Sequence, residues 1–494
     1  MINDGPCRLD RRTFLAAATA SAATALIIPA AARAVPDGDL TWLPAWMLRD
    51  MIARKQVSSL EVTNHFLKRI ERLEPKLHMF RGYDVESARA QARAADKAVA
   101  EGRGLGLLHG VPTALKEHIS VAGMPYFDLS LLGVPQPKEK WNAEMPSLAK
   151  RDSVITERLR AAGAVIVGVT IMPGLGEGPG MPSLEKHPRN PWDVSRVPGG
   201  SSAGSAAVVA SGALPFAIGT DGQGSLRLPA ALSGLIGVHT TPGRLPGISE
   251  TLLLLTDTLG PLTRDAQDAA LVLKATAGPD GRDMLSTMHG PAPDYLIDLE
   301  RGAKGMRIAW TDDYGFTRDY AVPQSESVIS AVRKAAQGVT ALGAALVPTD
   351  ERWESPIPYF PVTTACWGPF PSSPRPSSDD LTAALAVRKR NRDKFDRLFQ
   401  QYDVLMSPTV QFTAPTVEEW NTLLSNPQKG FPAYTAQTAM FNWLQLPAIS
   451  VPCGFLGGLP IGVQLVGPPD SEPKLLRLAH AFLQRFPRPE RPQV

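Results

Sequence analysis

Apolar residues recur along this chain with two alternating periods. Between Ser58 and Leu73 the positions Leu60, Phe66, Leu67, Ile70 and Leu73 fall on one helical face, and the serines ahead of them suit an N-cap. Residues 84–101 carry a second helical pattern. From residue 106 the reading changes to strand, glycine turn, helix, strand. Gly110 to Lys116 is extended, Ser153 to Ala162 helical, and Ala164 to Val169 extended again. A small-residue helix follows Ser202, Ala217 to Asp221 reads as a strand, and Leu226 to Leu232 as a helix. The C-terminal half repeats the theme: strand Met306 to Trp310, helix Ser325 to Leu342, a long amphipathic helix Asp379 to Tyr402, and short buried strands Asp403 to Met406 and Ala448 to Val451. Such alternation predicts an α/β fold, with a β-sheet covered by helices on both faces. Residues 124–150 lack a period and read as a long surface loop, a Pro/Ser cluster interrupts at Pro369 to Ser378, and one alternative domain boundary falls near residues 275–305.

Composition narrows this further. The chain has 494 residues, 44% hydrophobic and 20% charged, which suits one large globular domain or two merged ones. Its formal charge is +3; residues 1–34 hold four Arg and two Asp, so the remainder falls from 51 basic and 48 acidic residues to 47 and 46. A balance so close to neutral does not point to nucleic acid. Asp10-Arg11-Arg12-Thr13-Phe14-Leu15, an apolar run from Ala16 to Ile28, and Ala32-Arg33-Ala34 form a basic, apolar and small-x-small succession. That layout predicts a cleaved signal over residues 1–34 and a mature domain over 35–494. The paired arginines resemble a twin-arginine export address, which implies a periplasmic or secreted protein without stable membrane insertion. Only Cys366 and Cys453 remain after Cys7, so a disulfide framework is not expected.

The chemistry concentrates in residues 199–227. Two serine-bearing glycine turns, Gly199-Gly200-Ser201-Ser202-Ala203-Gly204 and Gly222-Gln223-Gly224-Ser225-Leu226-Arg227, flank a small-residue helix and a strand. Ser225 would stand at the start of a helix, among free N–H groups that can receive a developing oxyanion. This points to a hydrolase with a nucleophile and a relay hydroxyl in one pocket. By itself the turn fits a serine that merely caps the helix. Gly200-Ser201-Ser202-Ala203-Gly204 also fits G-x-S-x-G, an esterase elbow with Ser202 as nucleophile, but that motif needs a preceding strand and finds the Pro-bounded loop Pro191 to Pro198. The absence of G-K-[ST], G-x-G-x-x-G, H-E-x-x-H and paired-cysteine motifs leaves no expectation of a cofactor or a metal.

With these turns in view, the chain resembles the amidase signature family, serine hydrolases with a Ser–cis-Ser–Lys triad. The family's GGSSGGS and TDxGGSIRxPA stand here as GGSSAGS and TDGQGSLRLPA, with Ser201 and Ser225 twenty-four positions apart. The lysine motif appears as Gly110-Val111-Pro112 and Lys116-Glu117-His118-Ile119, with His118 in place of the usual Asn. Further matches are Asp257 to Leu262 with Arg264, Asp403 to Thr409, Leu446 to Pro452 and Gly458 to Gln464. The resemblance implies one large α/β domain around a twisted mixed sheet. It assigns Ser225 as nucleophile, Ser201 as bridging hydroxyl on a cis peptide after Gly200, and Lys116 as ultimate base. The backbone N–H groups of Gly222, Gln223, Gly224 and Ser225 would be the oxyanion donors, and Ser202, Asp221 and Arg227 would support the triad.

The activity implied is cleavage of a small-molecule amide; a non-catalytic binding protein on the same scaffold is the alternative. Segments 124–150, 171–187 and 353–378 match the family least and would set specificity, and their Phe127, Leu131, Leu132, Met172, Trp353, Tyr359, Phe360 and Trp367 hint at an apolar or aromatic group. The oligomeric state is left open, with a homodimer as one option.

Overall fold

Eleven strands among the described residues join in one mixed sheet. The structure is a computed structural model, and it describes residues 39–127, 147–173, 186–247, 256–359, 362, 376–424, 430–487 and 490–494. In chain order the strands are β1 (Phe80–Tyr83), β2 (Pro112–Lys116), β3 (Pro125–Tyr126), β4 (Ser147–Leu148), β5 (Val165–Thr170), β6 (Phe216–Asp221), β7 (Ile236–His239), β8 (Thr258–Thr263), β9 (Arg307–Trp310), β10 (Ala345–Pro348), β11 (Val404–Pro408), β12 (Ala448–Leu456) and β13 (Leu459–Val466). The sheet order is β1-β5-β2-β6-β8-β7-β12-β13-β11-β9-β10, while β3 and β4 pair separately. Two parallel groups, β5-β2-β6 and β11-β9-β10, flank an antiparallel centre. Every residue of β2, β5, β6 and β8 is buried. That is why β5, Val-Ile-Val-Gly-Val-Thr, reads as a nearly continuous apolar run rather than an alternating one: helices cover both faces.

Local chemistry explains the helices. Ser58 caps the helix Ser59–Leu77 and closes a capping box with Glu61, while Asp84 and Ser153 cap Val85–Ala100 and Val154–Ala161. The segment expected as one helix from Ser325 to Leu342 is α-helical only over Ser325–Ala336 and tightens to a 3-10 helix over Gln337–Leu342. Gly338 and the β-branched Val339 and Thr340 weaken the α-helical ladder there. A Cβ on Gly338 would lie 2.6 Å from the Phe486 ring, so the weak helix former is imposed by packing.

The hairpin β12–β13 was legible only as a motif. Leu456 pairs with Leu459 across Gly457-Gly458, both at positive φ, the signature of a two-residue turn. Residues 124–150, expected as a loop, contribute β3 and β4 at their ends; the stretch between lies outside the described residues. Leu40–Val494 forms one compact unit, so the alternative boundary near 275–305 is not realised. The helix Glu472–Arg485, from the far end of the chain, packs on Ala266–Thr276 and ties the halves together.

Close approach in the antiparallel centre demands glycine at one strand position. A Cβ on Gly260 in β8 would fall 1.9 Å from the Val238 carbonyl oxygen of β7. Gly260→Ala is expected to cost about 3 kcal/mol in chemical denaturation. Gly104→Ala, with no atom within 4 Å of the added methyl, should leave the midpoint in place. Equal midpoints for the two variants would contradict this packing.

Candidate active site

The site forms where two parallel strands end. β2 and β6 are hydrogen-bonded neighbours, so their last residues, Lys116 and Asp221, reach the same edge of the sheet. The crevice outside the carboxyl ends of parallel strands is where open α/β sheets hold ligands. Lys116 Nζ lies 2.7 Å from Ser201 Oγ and 3.1 Å from Thr220 Oγ1. The Gly200–Ser201 peptide is cis. The Ser202 N–H donates to the Ser225 carbonyl at 3.2 Å, which fastens the two serine turns side by side. Lys116 is only 1% exposed, whereas Ser201 and Ser225 are half-buried, so solvent meets the assembly on the serine side.

Small residues make this approach possible. Every residue of the helix Ala203–Ala210 is buried, and a Cβ on Gly204 would stand 2.3 Å from the Met79 carbonyl oxygen. Ala203, the first residue of this helix, is fully buried. Ser202 is fully buried and its hydroxyl donates to the Thr220 carbonyl at 3.1 Å. No strand runs directly into it over residues 186–201, so the esterase elbow lacks its scaffold.

The second turn is organised by Asp221. Its carboxylate accepts from the N–H groups of Gly224 at 2.6 Å, Leu226 at 3.2 Å and Arg227 at 3.3 Å. This corrects one expectation: the Gly224 N–H is engaged by Asp221 and is not a free oxyanion donor. The N–H groups of Gly222, Gln223 and Ser225 meet no acceptor among the described residues. Gln223, in place of a glycine, does not take a positive φ, so the backbone there does not require glycine. Gly224 has φ +125° and a Cβ there would lie 2.3 Å from Thr438 Oγ1, so this position does require glycine.

Arg227 completes the support. Its guanidinium donates to both Asp221 oxygens at 2.9 Å, to the Thr438 carbonyl at 3.0 Å and to Gln464 Oε1 at 2.8 Å. Asn442 adds donors to the Asp221 carbonyl at 2.7 Å and carboxylate at 2.9 Å. Burial alone would raise the Asp221 carboxyl, but the Arg227 charge and these hydrogen bonds hold it far below the ordinary carboxylate range.

Charge balance decides the state of Lys116. Burial drives its pKa well below the ordinary 10.5, against the pull of Asp257, Asp221 and Glu117. Two of these carboxyls are paired elsewhere, and burial disfavours the charged form of the third. Asp221 belongs to Arg227. Glu117, raised by burial, is paired with Arg81 at 2.5 Å and accepts from the Met172 N–H at 2.6 Å. Asp257 is pushed up by burial, and its Oδ1 meets no partner among the described residues. A neutral amine 2.7 Å from a hydroxyl can accept that hydroxyl's proton.

Sequence reasoning passed over several contributors. The Tyr434 hydroxyl accepts from the Gly200 N–H at 2.6 Å and donates to the Gly200 carbonyl at 3.1 Å, clamping the peptide before Ser201. Tyr434 and Asn442 lie more than 200 residues away in a segment without motif, so only the fold reveals them; Gln464 stood in a quoted motif without a role. The aromatic hints divide. Trp353 stacks on Phe395 at 4.7 Å in a core cluster, so it packs rather than faces a substrate, while Phe127 and Met172 are buried. Leu131, Leu132, Phe360, Trp367 and Cys366 lie outside the described residues.

Comparison with known proteins agrees with this arrangement. The family model described as Amidase matches residues 61–356 and 370–476. A glutamyl-tRNA(Gln) amidotransferase chain of Moorella thermoacetica is 33% identical, covering 90% of this chain and 97% of its own length. A bacterial aryl acylamidase of the amidase signature family shares the fold with TM-score 0.76 at 24% identity, over 90% of this chain and 97% of its own. The peptide amidase of Stenotrophomonas maltophilia aligns with TM-score 0.72 at 25% identity, over 91% and 98%. The chain belongs to the amidase signature family. It is an amidohydrolase acting on amide C–N bonds.

The Asp221–Arg227 pair generates a stability prediction. Asp221→Asn leaves a fully buried guanidinium opposite a neutral amide and is expected to cost about 3–5 kcal/mol in denaturant titration. Because the native pKa is depressed, the wild-type advantage is full above the ordinary value of 3.8 and shrinks as pH falls toward the lowered native value. A variant as stable as wild type at neutral pH would show that the pair does not hold the turn.

Proposed function

We propose that Ser225 is the nucleophile of this amidohydrolase, Ser201 the relay and Lys116 the base. The observation that carries the reading is the buried lysine 2.7 Å from Ser201 Oγ, with two of its three neighbouring carboxyls, Glu117 and Asp221, paired to arginines. Ser225 Oγ adds to the amide carbon, its proton passing through Ser201 to Lys116. The oxyanion is received by the N–H groups of Gly222, Gln223 and Ser225. Lys116 returns the proton through Ser201 to the leaving nitrogen, the C–N bond breaks, and an acyl ester on Ser225 remains. Water then adds along the same route and releases the carboxylic acid. Ser202, Asp221 and Arg227 hold the turns rather than touch the substrate.

For the substrate we favour an uncharged linear amide with an aryl or apolar group, a peptide amide or a carbamate. Support comes from the aryl acylamidase and peptide amidase among the structural relatives. The near-neutral charge of residues 35–494 argues against charged tRNA, despite the likeness to amidotransferase chains. Residues 1–34 act, in this reading, as a twin-arginine export signal, supported by Arg11-Arg12-Thr13-Phe14-Leu15 and the apolar run behind it.

Separate experiments test the chemistry and the export. A fluorophosphonate probe should label wild type and Ser202→Ala but not Ser225→Ala, and Lys116→Ala should lower turnover by at least ~100-fold on whichever of anilides, primary amides, peptide amides or carbamates is cleaved. Since only the neutral amine accepts a proton, the rate should rise with pH through a midpoint well below 10.5. Labelling that survives in Ser225→Ala would overturn the nucleophile. Replacing Arg11 and Arg12 by Lys should strand the protein in the cytoplasm, while wild type is recovered from the periplasm or medium beginning at Val35; unchanged export would remove the address reading.

A further inference from the structure

The hydrogen-bond chain at Lys116 continues beyond Ser201 to a second hydroxyl and a ring nitrogen. Lys116 Nζ is 3.1 Å from Thr220 Oγ1, which in turn lies 3.0 Å from His118 Nε2. All three side chains are buried, and His118 Nδ1 meets no partner among the described residues. His118 stands two residues beyond Lys116, where β2 ends, and Thr220 is the penultimate residue of β6. A histidine with one ring nitrogen stranded in the interior is costly, and packing alone would be met by an apolar ring.

We propose that His118 is a positioning residue, which accepts the Thr220 hydroxyl proton and thereby keeps the lone pair of Lys116 turned toward Ser201. Proton counting fixes the orientation. A neutral lysine has two N–H donors and a single lone pair, and a threonine hydroxyl has a single proton. When that proton is given to His118 Nε2, Thr220 can only accept from Lys116, and the lone pair is left for the Ser201 hydroxyl. With the opposite orientation, the Thr220 hydroxyl would point at the lysine nitrogen and compete with Ser201 for the same lone pair. The Nδ1–H tautomer is the one that serves, and burial beside Lys116 keeps the ring from acquiring a second proton. The other titratable groups facing Lys116 are Glu117 beside it, Asp221 at the end of β6 and Asp257 just before β8; none is bonded to Thr220 Oγ1 or His118.

This inference rests on Lys116 being the base, and the experiment separates the two. The second-order rate of fluorophosphonate labelling is measured against pH for wild type, His118→Phe, His118→Asn, Thr220→Val, His118→Phe/Thr220→Val and Lys116→Ala. His118→Phe should lower the plateau at least ~10-fold and move the rising limb to lower pH, because a Thr220 hydroxyl now donated to the amine favours its neutral form. His118→Asn, whose amide oxygen can accept, should restore both. In the Thr220→Val background His118→Phe should have no further effect, since the hydroxyl it orients is gone. A His118→Phe enzyme with the wild-type plateau and limb, or one that loses the same factor with and without Thr220, would overturn the inference while a dead Lys116→Ala left the base in place. Lys116→Ala labelling at the wild-type rate would instead remove the base. Should His118→Phe not fold, the ¹⁵N shifts of wild-type His118 decide: a bare Nε2 and protonated Nδ1 are expected, and the reverse overturns the inference.

Discussion

A lysine sealed from water within hydrogen-bond reach of a serine is useful as a base only while it remains uncharged, and most of the surrounding structure follows from that demand. Three carboxyls lie close enough to pull a proton onto Lys116. The fold answers Glu117 with Arg81 and Asp221 with Arg227, and buries Asp257 where its own ionised form is disfavoured. Burial of the amine then prevails over the residual attraction. Neither arginine belongs to the proposed proton path, yet each removes a competing charge from it.

A similar division of roles appears in the backbone. Asp221 accepts the N–H groups of Gly224, Leu226 and Arg227, leaving those of Gly222, Gln223 and Ser225 without acceptors among the described residues. One carboxylate thus sorts the amides of the turn into those that shape it and those that remain available. Tyr434 does similar work at the other serine turn by holding both sides of the Gly200 peptide. The parallel pairing of β2 with β6 carries these two turns and the lysine to a single edge.

Much of this was legible in the sequence, for physical reasons that can be named. The strands β2, β5 and β6 are apolar through most of their length because both faces are covered, and Ser58, Asp84 and Ser153 announce helix starts by side-chain capping. Lys116, Ser201 and Ser225 stood out by motif; Lys116 Nζ lies 2.7 Å from Ser201 Oγ, and the Ser202 N–H donates to the Ser225 carbonyl. Asn442 and Tyr434, which hold Asp221 and Gly200, were not readable, because they carry no local pattern and arrive only through the tertiary fold. Gly224 fails as an expected oxyanion donor for a related reason: which N–H a carboxylate captures depends on turn geometry, not on residue type. Trp353 illustrates the converse, an aromatic in a variable segment that the fold uses to pack on Phe395.

The protonation state of one nitrogen decides whether this chemistry can run. Titration of the Lys116 Nζ resonance in ¹⁵N-lysine-labelled protein, assigned by comparison with Lys116→Arg, would read it without reference to any substrate. A midpoint well below the ordinary 10.5, with the neutral amine populated near pH 8, is the predicted result. An ammonium signal that persists to pH 10.5 or above would contradict a neutral base at this position.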